Sequence, residues 1–274
     1  MSKISGWLLA AALLAGAAIG IYFWQQWQSQ APKPQPMIEE PPPAAVKPEP
    51  PAHYPILENL GAPLKPEALP ALDQSDLAIW KALSGLYGEP LLKNLLRPQD
   101  MVRHVVVTID NLPRKTVAAR LLPTKPVAGG FRITGQAGNL AISPENAARY
   151  TPYVRLAEMV DARDIVALYV RFYPLFQSAY QDLGYPEGYF NDRLVAVIDH
   201  LLAAPQEQAP LMLVQPHVLY QFADPELEEQ SAGRKILLRM GEENATRIKA
   251  KLRQIRAELT SAQSKPPAQG GGAR

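Results

Sequence analysis

Residues 161–183 read DARDIVALYVRFYPLFQSAYQDL, and the spacing of their large apolar side chains decides the fold class. Ile165, Leu168, Tyr169, Phe172, Phe176, Tyr180 and Leu183 recur every three or four residues. A chain turning every 3.6 residues carries such positions on one face, whereas a strand would need strict alternation. The spacing therefore predicts a long helix starting at Asp161, with its aromatic stripe packed into a core. Pro174 lies inside the stretch and is expected to kink or divide it, because proline lacks the N–H and crowds the preceding turn.

Outward from this helix, Gly184-Tyr185-Pro186-Glu187-Gly188 reads as a turn, and Asn191 or Asp192 as the cap of a helix carrying Leu194, Val197, Ile198 and Leu201. Upstream, Asp73 to Asp76 supply start residues for a helix with Leu77, Trp80 and Leu83, and Leu91 to Leu96 suggest a short second one. Pro98 is placed to open a third, with Met101, Val102, Val105, Val106 and Ile109 as its stripe. The β-branched run from Val105 to Ile109 leaves a strand as the alternative. The Gly- and Pro-rich segment from Thr124 to Ile142 fits a small hairpin or an ordered loop. Leu211 to Phe222 is short and ambiguous, Asp224-Pro225 opens a helix running to about Met240, and the last helix spans Glu242 to Ser261. Its residues Ala245, Ile248, Leu252, Ile255 and Leu259 form a seam of about two heptads, expected to pack on its own domain, with a homodimer as the alternative. The fold class is mainly α: a helical domain over residues 73–261 with a small β-hairpin or an ordered loop in its place.

The N-terminal part is of another kind. Gly6 to Trp24 carries no charge; as a helix it would be ~28 Å long, close to the hydrocarbon thickness of a bilayer. Tyr22, Phe23, Trp24 and Trp27 cluster at its far end, as interfacial rings do, and Lys3 precedes it. The expectation is a transmembrane anchor over residues 6–27, with residues 1–5 in the cytoplasm and the rest in the periplasm of a bacterial inner membrane. A cleaved signal peptide is the rival reading, but its apolar core is usually shorter, about 7–15 residues. Residues 31–70 contain thirteen prolines, which suit extended polyproline II at ~3.1 Å per residue rather than helix or sheet. Residues 28–72 are read as a stalk and 262–274 as a disordered tail.

A net charge of +2 over 274 residues gives no basic footprint for nucleic acid. The absence of cysteine excludes disulfides, thiolate metal sites and thiol catalysis. His53, His104, His200 and His217 show no metal-ligand spacing, and no nucleophile elbow, phosphate loop or dinucleotide fingerprint is present. No cofactor or metal is expected. Asp100 and His104, four apart on a helix, are read as a surface or core-edge pair. The basic run from Arg234 to Arg256 is read as a solvated face, with a contact to anionic polymer or lipid as the sharper alternative.

Four stretches carry a resemblance to a known family: Arg97-Pro98-Gln99-Asp100 running into Thr108-Ile109-Asp110-Asn111-Leu112-Pro113-Arg114; Tyr173-Pro174-Leu175-Phe176-Gln177; Leu183-Gly184-Tyr185-Pro186 with Tyr189-Phe190-Asn191-Asp192-Arg193; and Tyr220-Gln221-Phe222-Ala223-Asp224-Pro225. Over most of residues 74–258 the chain resembles the uncharacterised family labelled domain of unknown function 3014. The resemblance implies a proteobacterial membrane-anchored protein. It implies no activity, and no site residue carries over.

The functional expectation is therefore an interaction or scaffold module of the envelope, with an envelope protein as its partner. A periplasmic enzyme or binding protein acting on peptidoglycan or another glycan is the alternative; it would need carboxylates such as Asp182, Glu187, Asp192 and Asp199 to converge. The candidate partner surface is Tyr185 and Tyr189 of the rigid turn together with Asp192, Arg193, Asp199 and His200 of the following helix, where residues three and four apart are neighbours.

Overall fold

The structure, a computed structural model, describes residues 53–55, 69–207 and 210–261. The expected N-terminus 1–5, the anchor 6–27, most of the stalk 28–72 and the tail 262–274 lie outside the described residues. No helix among the described residues is long and apolar enough to cross a membrane.

The described residues are mainly helical. Helices α1 (Asp76–Tyr87), α2 (Glu89–Leu95) and α3 (Met101–Asn111) come first. The β-branched run is thus helix, because Met101, Val102 and Val106 bury one face against α1. That helix begins three residues after Pro98. Its start is set by Asp100 in a left-handed conformation (φ 49°) and by Asp76 of α1, whose carboxylate accepts from Asp100 N at 2.7 Å and Met101 N at 2.9 Å. A side chain from a neighbouring helix satisfies donors that a local cap would otherwise take.

A hairpin follows, β1 (Ile133–Gln136) and β2 (Asn139–Ile142), turning at Ala137-Gly138. Gly135 has φ 92°, and a Cβ there would lie 2.0 Å from Asn139 O, so only glycine fits. Helix α4 (Glu145–Met159) leads to α5 (Ala162–Asp182) and α6 (Phe190–Leu202). Pro174 does not divide α5, which runs for 21 residues. Losing one backbone bond costs about 3 kcal/mol, less than the burial of Phe172, Tyr173, Leu175, Ala179 and Tyr180 contributes at about 1.5–3 kcal/mol for each large side chain.

Strands β3 (Met212–Val214) and β4 (Gln221–Phe222) then extend the hairpin into one antiparallel sheet of order β1-β2-β3-β4. The single helix expected from Asp224 to Met240 is two: α7 (Pro225–Glu228) and α8 (Ala232–Arg239). Each has its own cap, Asp224 accepting from Glu226 N at 2.8 Å and Ser231 from Arg234 N at 3.3 Å. The last helix, α9 (Glu242–Ser261), has the expected bounds.

Helix α6 holds the domain together. Phe190 sits in a cluster with Ile79, Val102, Val106, Phe172 and Tyr180. Val195 and Ile198 pack with Tyr173 of α5 and Leu259 of α9, while Val197 and Leu201 pack with Leu237 of α8. The α9 seam thus lies against its own domain, as Leu252 and Ile255 also show. A fourth cluster, with Leu213, Phe222, Leu227 and Leu238, backs the sheet.

Candidate functional site

The turn before α6 is held by α5. Gln177 Nε2 donates to Gly188 O at 2.7 Å, and its Oε1 accepts from Phe190 N at 2.9 Å and from the Tyr173 hydroxyl at 3.0 Å. Gln177 therefore takes the capping role expected of Asn191 or Asp192. Tyr189 occupies the N-cap position without a side-chain cap bond, and Asn191 and Asp192 lie inside the first turn with their side chains free for other partners.

The six residues of the expected surface separate into four places. Arg193 turns toward α3: its Nε donates to Asp110 Oδ1 at 3.0 Å and its Nη2 to Asp110 O at 2.7 Å. The Asp110 side chain is only 3% exposed. Arg114 Nη2 reaches Asp110 Oδ2 at 2.6 Å, and the Tyr185 hydroxyl donates to the same oxygen at 3.4 Å while its ring stacks on Tyr180. A buried carboxylate is thereby matched by two guanidinium groups, as burial of a charge requires.

Asp199 pairs with Arg256 of α9, Nη2 to Oδ2 at 3.0 Å. His200 Nε2 lies 2.8 Å from Ser231 Oγ. Burial lowers the His200 pKa, and Arg234 and Arg193 lower it further. The Ser231 oxygen already accepts from Arg234 N, which leaves its hydroxyl proton for the neutral imidazole.

Asp192 and Tyr189 meet the N-terminal segment instead. Asp192 Oδ1 accepts from Tyr54 N at 2.6 Å, and Oδ2 lies 2.8 Å from His53 Nδ1. Asn191 Nδ2 donates to Tyr54 O at 2.8 Å. The His53 ring lies 4.3 Å from that of Tyr189, and Tyr54 packs against the cluster of Tyr173, Val195, Ile198 and Leu259. Burial pushes the Tyr173 hydroxyl up to about 12, although a backbone bond from Asn191 acts the other way. Two pieces of the expected stalk thus pack on the domain, His53–Pro55 here and Leu69 with Leu72 against the cluster around Phe172. Tyr54, Asp110, Asn191 and Gln177 were not among the expected site residues. The visible signal for Tyr54 is an aromatic pair, His53-Tyr54, inside a proline-rich stretch otherwise without rings.

Other expected chemistry disperses. His104 Nδ1 is buried and finds no partner among the described residues, and Asp100 is exposed, so the two side chains read as a surface or core-edge pair do not bond each other. Asp182 pairs with Arg103 and Glu187 stands exposed, so the four acidic residues do not share one cleft. No group of three His, Asp or Glu suited to a metal ion occurs among the described residues. The basic run is a solvated face only in part: Arg253 is exposed, whereas two lysines are buried. Lys249 Nζ donates to Ala204 O at 2.6 Å and Lys251 Nζ to Val160 O at 2.9 Å, both buried. Arg234 Nε donates to His200 O at 3.0 Å. These cations sit on carbonyls at the C-terminal ends of α4 and α6, where the helix dipole favours positive charge. An apolar cavity of about 280 Å³ lies between α3, α5 and α6, lined by Val102, Val105, Tyr169, Phe176, Phe190 and Leu194.

Val218 and Leu219 stand 86% and 76% exposed in the loop between β3 and β4, and Met212 and Val214 of β3, a few residues earlier, are exposed as well.

The family described as Protein of unknown function (DUF3014) matches residues 101–256, more than half of the chain. No curated protein and no solved structure matches. The matched span contains Asp110, Arg114, Gln177, Tyr185 and Arg193, so three of the stretches that carry the resemblance meet around the α6 N-terminus.

Proposed function

This chain belongs to the DUF3014 family, and we propose on that premise that it is a membrane-anchored interaction module of the cell envelope. Residues 6–27 anchor it in the inner membrane with residues 1–5 in the cytoplasm, the segment 28–72 sets its reach, and the helical domain meets an envelope protein in the periplasm. The uncharged span from Gly6 to Trp24 with its terminal aromatics supports the anchor. The interaction reading is carried by one observation, the exposed apolar tip of Val218 and Leu219, with Met212 and Val214 exposed a few residues earlier. Large apolar side chains left in water at neighbouring positions favour contact with a partner surface. The glycan-directed alternative has less support, because its carboxylates are engaged separately.

Crosslinking in intact membranes, followed by purification of the full chain beside a control carrying residues 1–72 alone, tests this reading. A specific envelope protein should be captured by the full chain only, and Leu219→Asp should lower its yield several-fold. Equal capture by the control, or a yield untouched by Leu219→Asp, overturns the role given to the domain and its tip. A periplasm-dependent reporter enzyme fused after Arg274 should be active if the topology holds.

A further inference from the structure

Asn191 and Asp192 treat Tyr54 as a neighbouring strand would. In extended backbone the N–H and C=O of one residue point to the same side, and a strand partner bonds both. Here one carboxylate oxygen accepts the Tyr54 N–H at 2.6 Å and one side-chain amide donates to the Tyr54 carbonyl at 2.8 Å. Two consecutive side chains on a helix thus satisfy both main-chain groups of one residue. The pair is rigid. Asn191 is 0% exposed and its Oδ1 lies 3.4 Å from the Tyr169 hydroxyl, so its amide is oriented toward Tyr54.

Side chains add a second layer of recognition. The Tyr54 ring enters the apolar cluster of Tyr173, Val195, Ile198 and Leu259. His53 lies against Tyr189 and bonds the second oxygen of Asp192. Pro55 follows, and a proline disfavours the helical region for the residue before it, so Tyr54 is held extended before it binds. Main-chain capture with a pocket for one ring and a preference for a following proline is a mode of peptide recognition.

We propose that Asn191 and Asp192, with the ring pocket behind them, form a binding site for an extended peptide carrying an aromatic residue followed by proline, and that the chain's own His53-Tyr54-Pro55 occupies it in cis. The site deepens the proposed interaction role and rests on that reading, but at a place separate from the Val218–Leu219 tip. A tethered occupant competes at an effective concentration on the order of millimolar. A free peptide of the same chemistry therefore enters only when the internal segment is weakened or the peptide is abundant.

The probe is a synthetic peptide of residues 51–57, titrated into the purified full chain. Tyr54→Ala should raise its apparent affinity at least ~10-fold over the unsubstituted chain by removing the internal competitor. Asp192→Ala added to Tyr54→Ala should abolish saturable binding, as should replacing the tyrosine of the probe by alanine. Equal affinity for the substituted and unsubstituted chains, no saturable binding to Tyr54→Ala at millimolar probe, or full binding by the double variant overturns the proposal. If Tyr54→Ala does not fold, amide exchange at Tyr54 in the unsubstituted chain decides. Protection of at least ~10-fold over the free peptide is expected, and exchange at the free-peptide rate overturns the cis contact. The titration uses no membrane partner, so its failure leaves the crosslinking result standing, and a failed capture leaves the site standing.

Discussion

Asp110 and Asp192 are both carboxylates at the α6 N-terminal end of the domain, and they are used in opposite ways. Asp110 is buried between α3 and α6, bound by Arg193 of α6 and by Arg114 of the turn after α3. Asp192 is half-buried and holds a segment, His53–Pro55, far away in sequence. Adjacent residues of one helix, Asp192 and Arg193, thus serve a contact with a remote segment, which the proposal makes exchangeable, and a contact inside the packed domain. The difference teaches that position along a helix face is a poor guide to function. What matters is whether the partner of a side chain can leave.

Breaking the buried side of this comparison should have the largest effect. Asp110→Ala removes the charged hydrogen bonds from Arg193 and Arg114, both of which still reach water, and is expected to cost about 2–3 kcal/mol. Thermal or urea unfolding of the full chain measures it; a loss under 1 kcal/mol would place Asp110 with the exchangeable contacts. Next comes Gly233→Ala, where the new Cβ would lie 2.6 Å from Leu201 Cδ2 and 3.1 Å from Leu112 O. Overpacking of that kind costs about 1–3 kcal/mol, and an unchanged melting temperature would mean that α8 shifts freely against α6.

Asp192→Ala should cost less, about 1–2 kcal/mol, since it removes two hydrogen bonds to a segment that water can reach. Its distinguishing result is faster exchange of the Tyr54 amide with little change elsewhere, whereas Asp110→Ala should speed exchange throughout α3 and α6. Asp199→Ala removes only a partly exposed pair with Arg256 and should stay within about 1 kcal/mol.

A pH series sharpens the contrast from another direction. The His200 pKa is lowered in the folded chain, so the unfolded chain binds the proton first as pH falls. Its contribution is therefore complete above the ordinary histidine value of about 6.5 and is lost as pH falls through the lower folded value. His200→Asn should flatten the stability profile over that window. A profile as steep as the unsubstituted one would assign the acid sensitivity to other groups.

The repeating parts of the fold were legible because periodicity is a local property. Ile165 through Tyr180 and Ala245 through Leu259 announce their helices and their buried faces. Strands of three and two residues, Met212–Val214 and Gln221–Phe222, offer too few positions for alternation to show. The candidate surface was half legible. Tyr189 and Asp192 do meet another piece of chain, but Arg193, Asp199 and His200 were grouped with them by spacing alone, and their partners lie on α3, α9 and the start of α8. Lys249 and Lys251 read as solvated for the same reason, because the carbonyls they cap belong to helices about 45 and 91 residues earlier in the chain.

The sheet carries a consequence for the order of folding. Sixty-nine residues, 143–211, separate β2 from β3, although the two are paired. Each outer hairpin closes a loop of only a few residues, a step on the microsecond timescale. The central seam must close a loop that contains α4, α5 and α6, and until those helices fold that closure carries an entropic penalty growing with the logarithm of loop length. Helix packing shortens the distance between the two hairpins, so the β2–β3 pairing is a late event whose rate reports the assembly of the helical core. Substitutions at Leu140 or Leu213 should consequently act on unfolding more than on refolding.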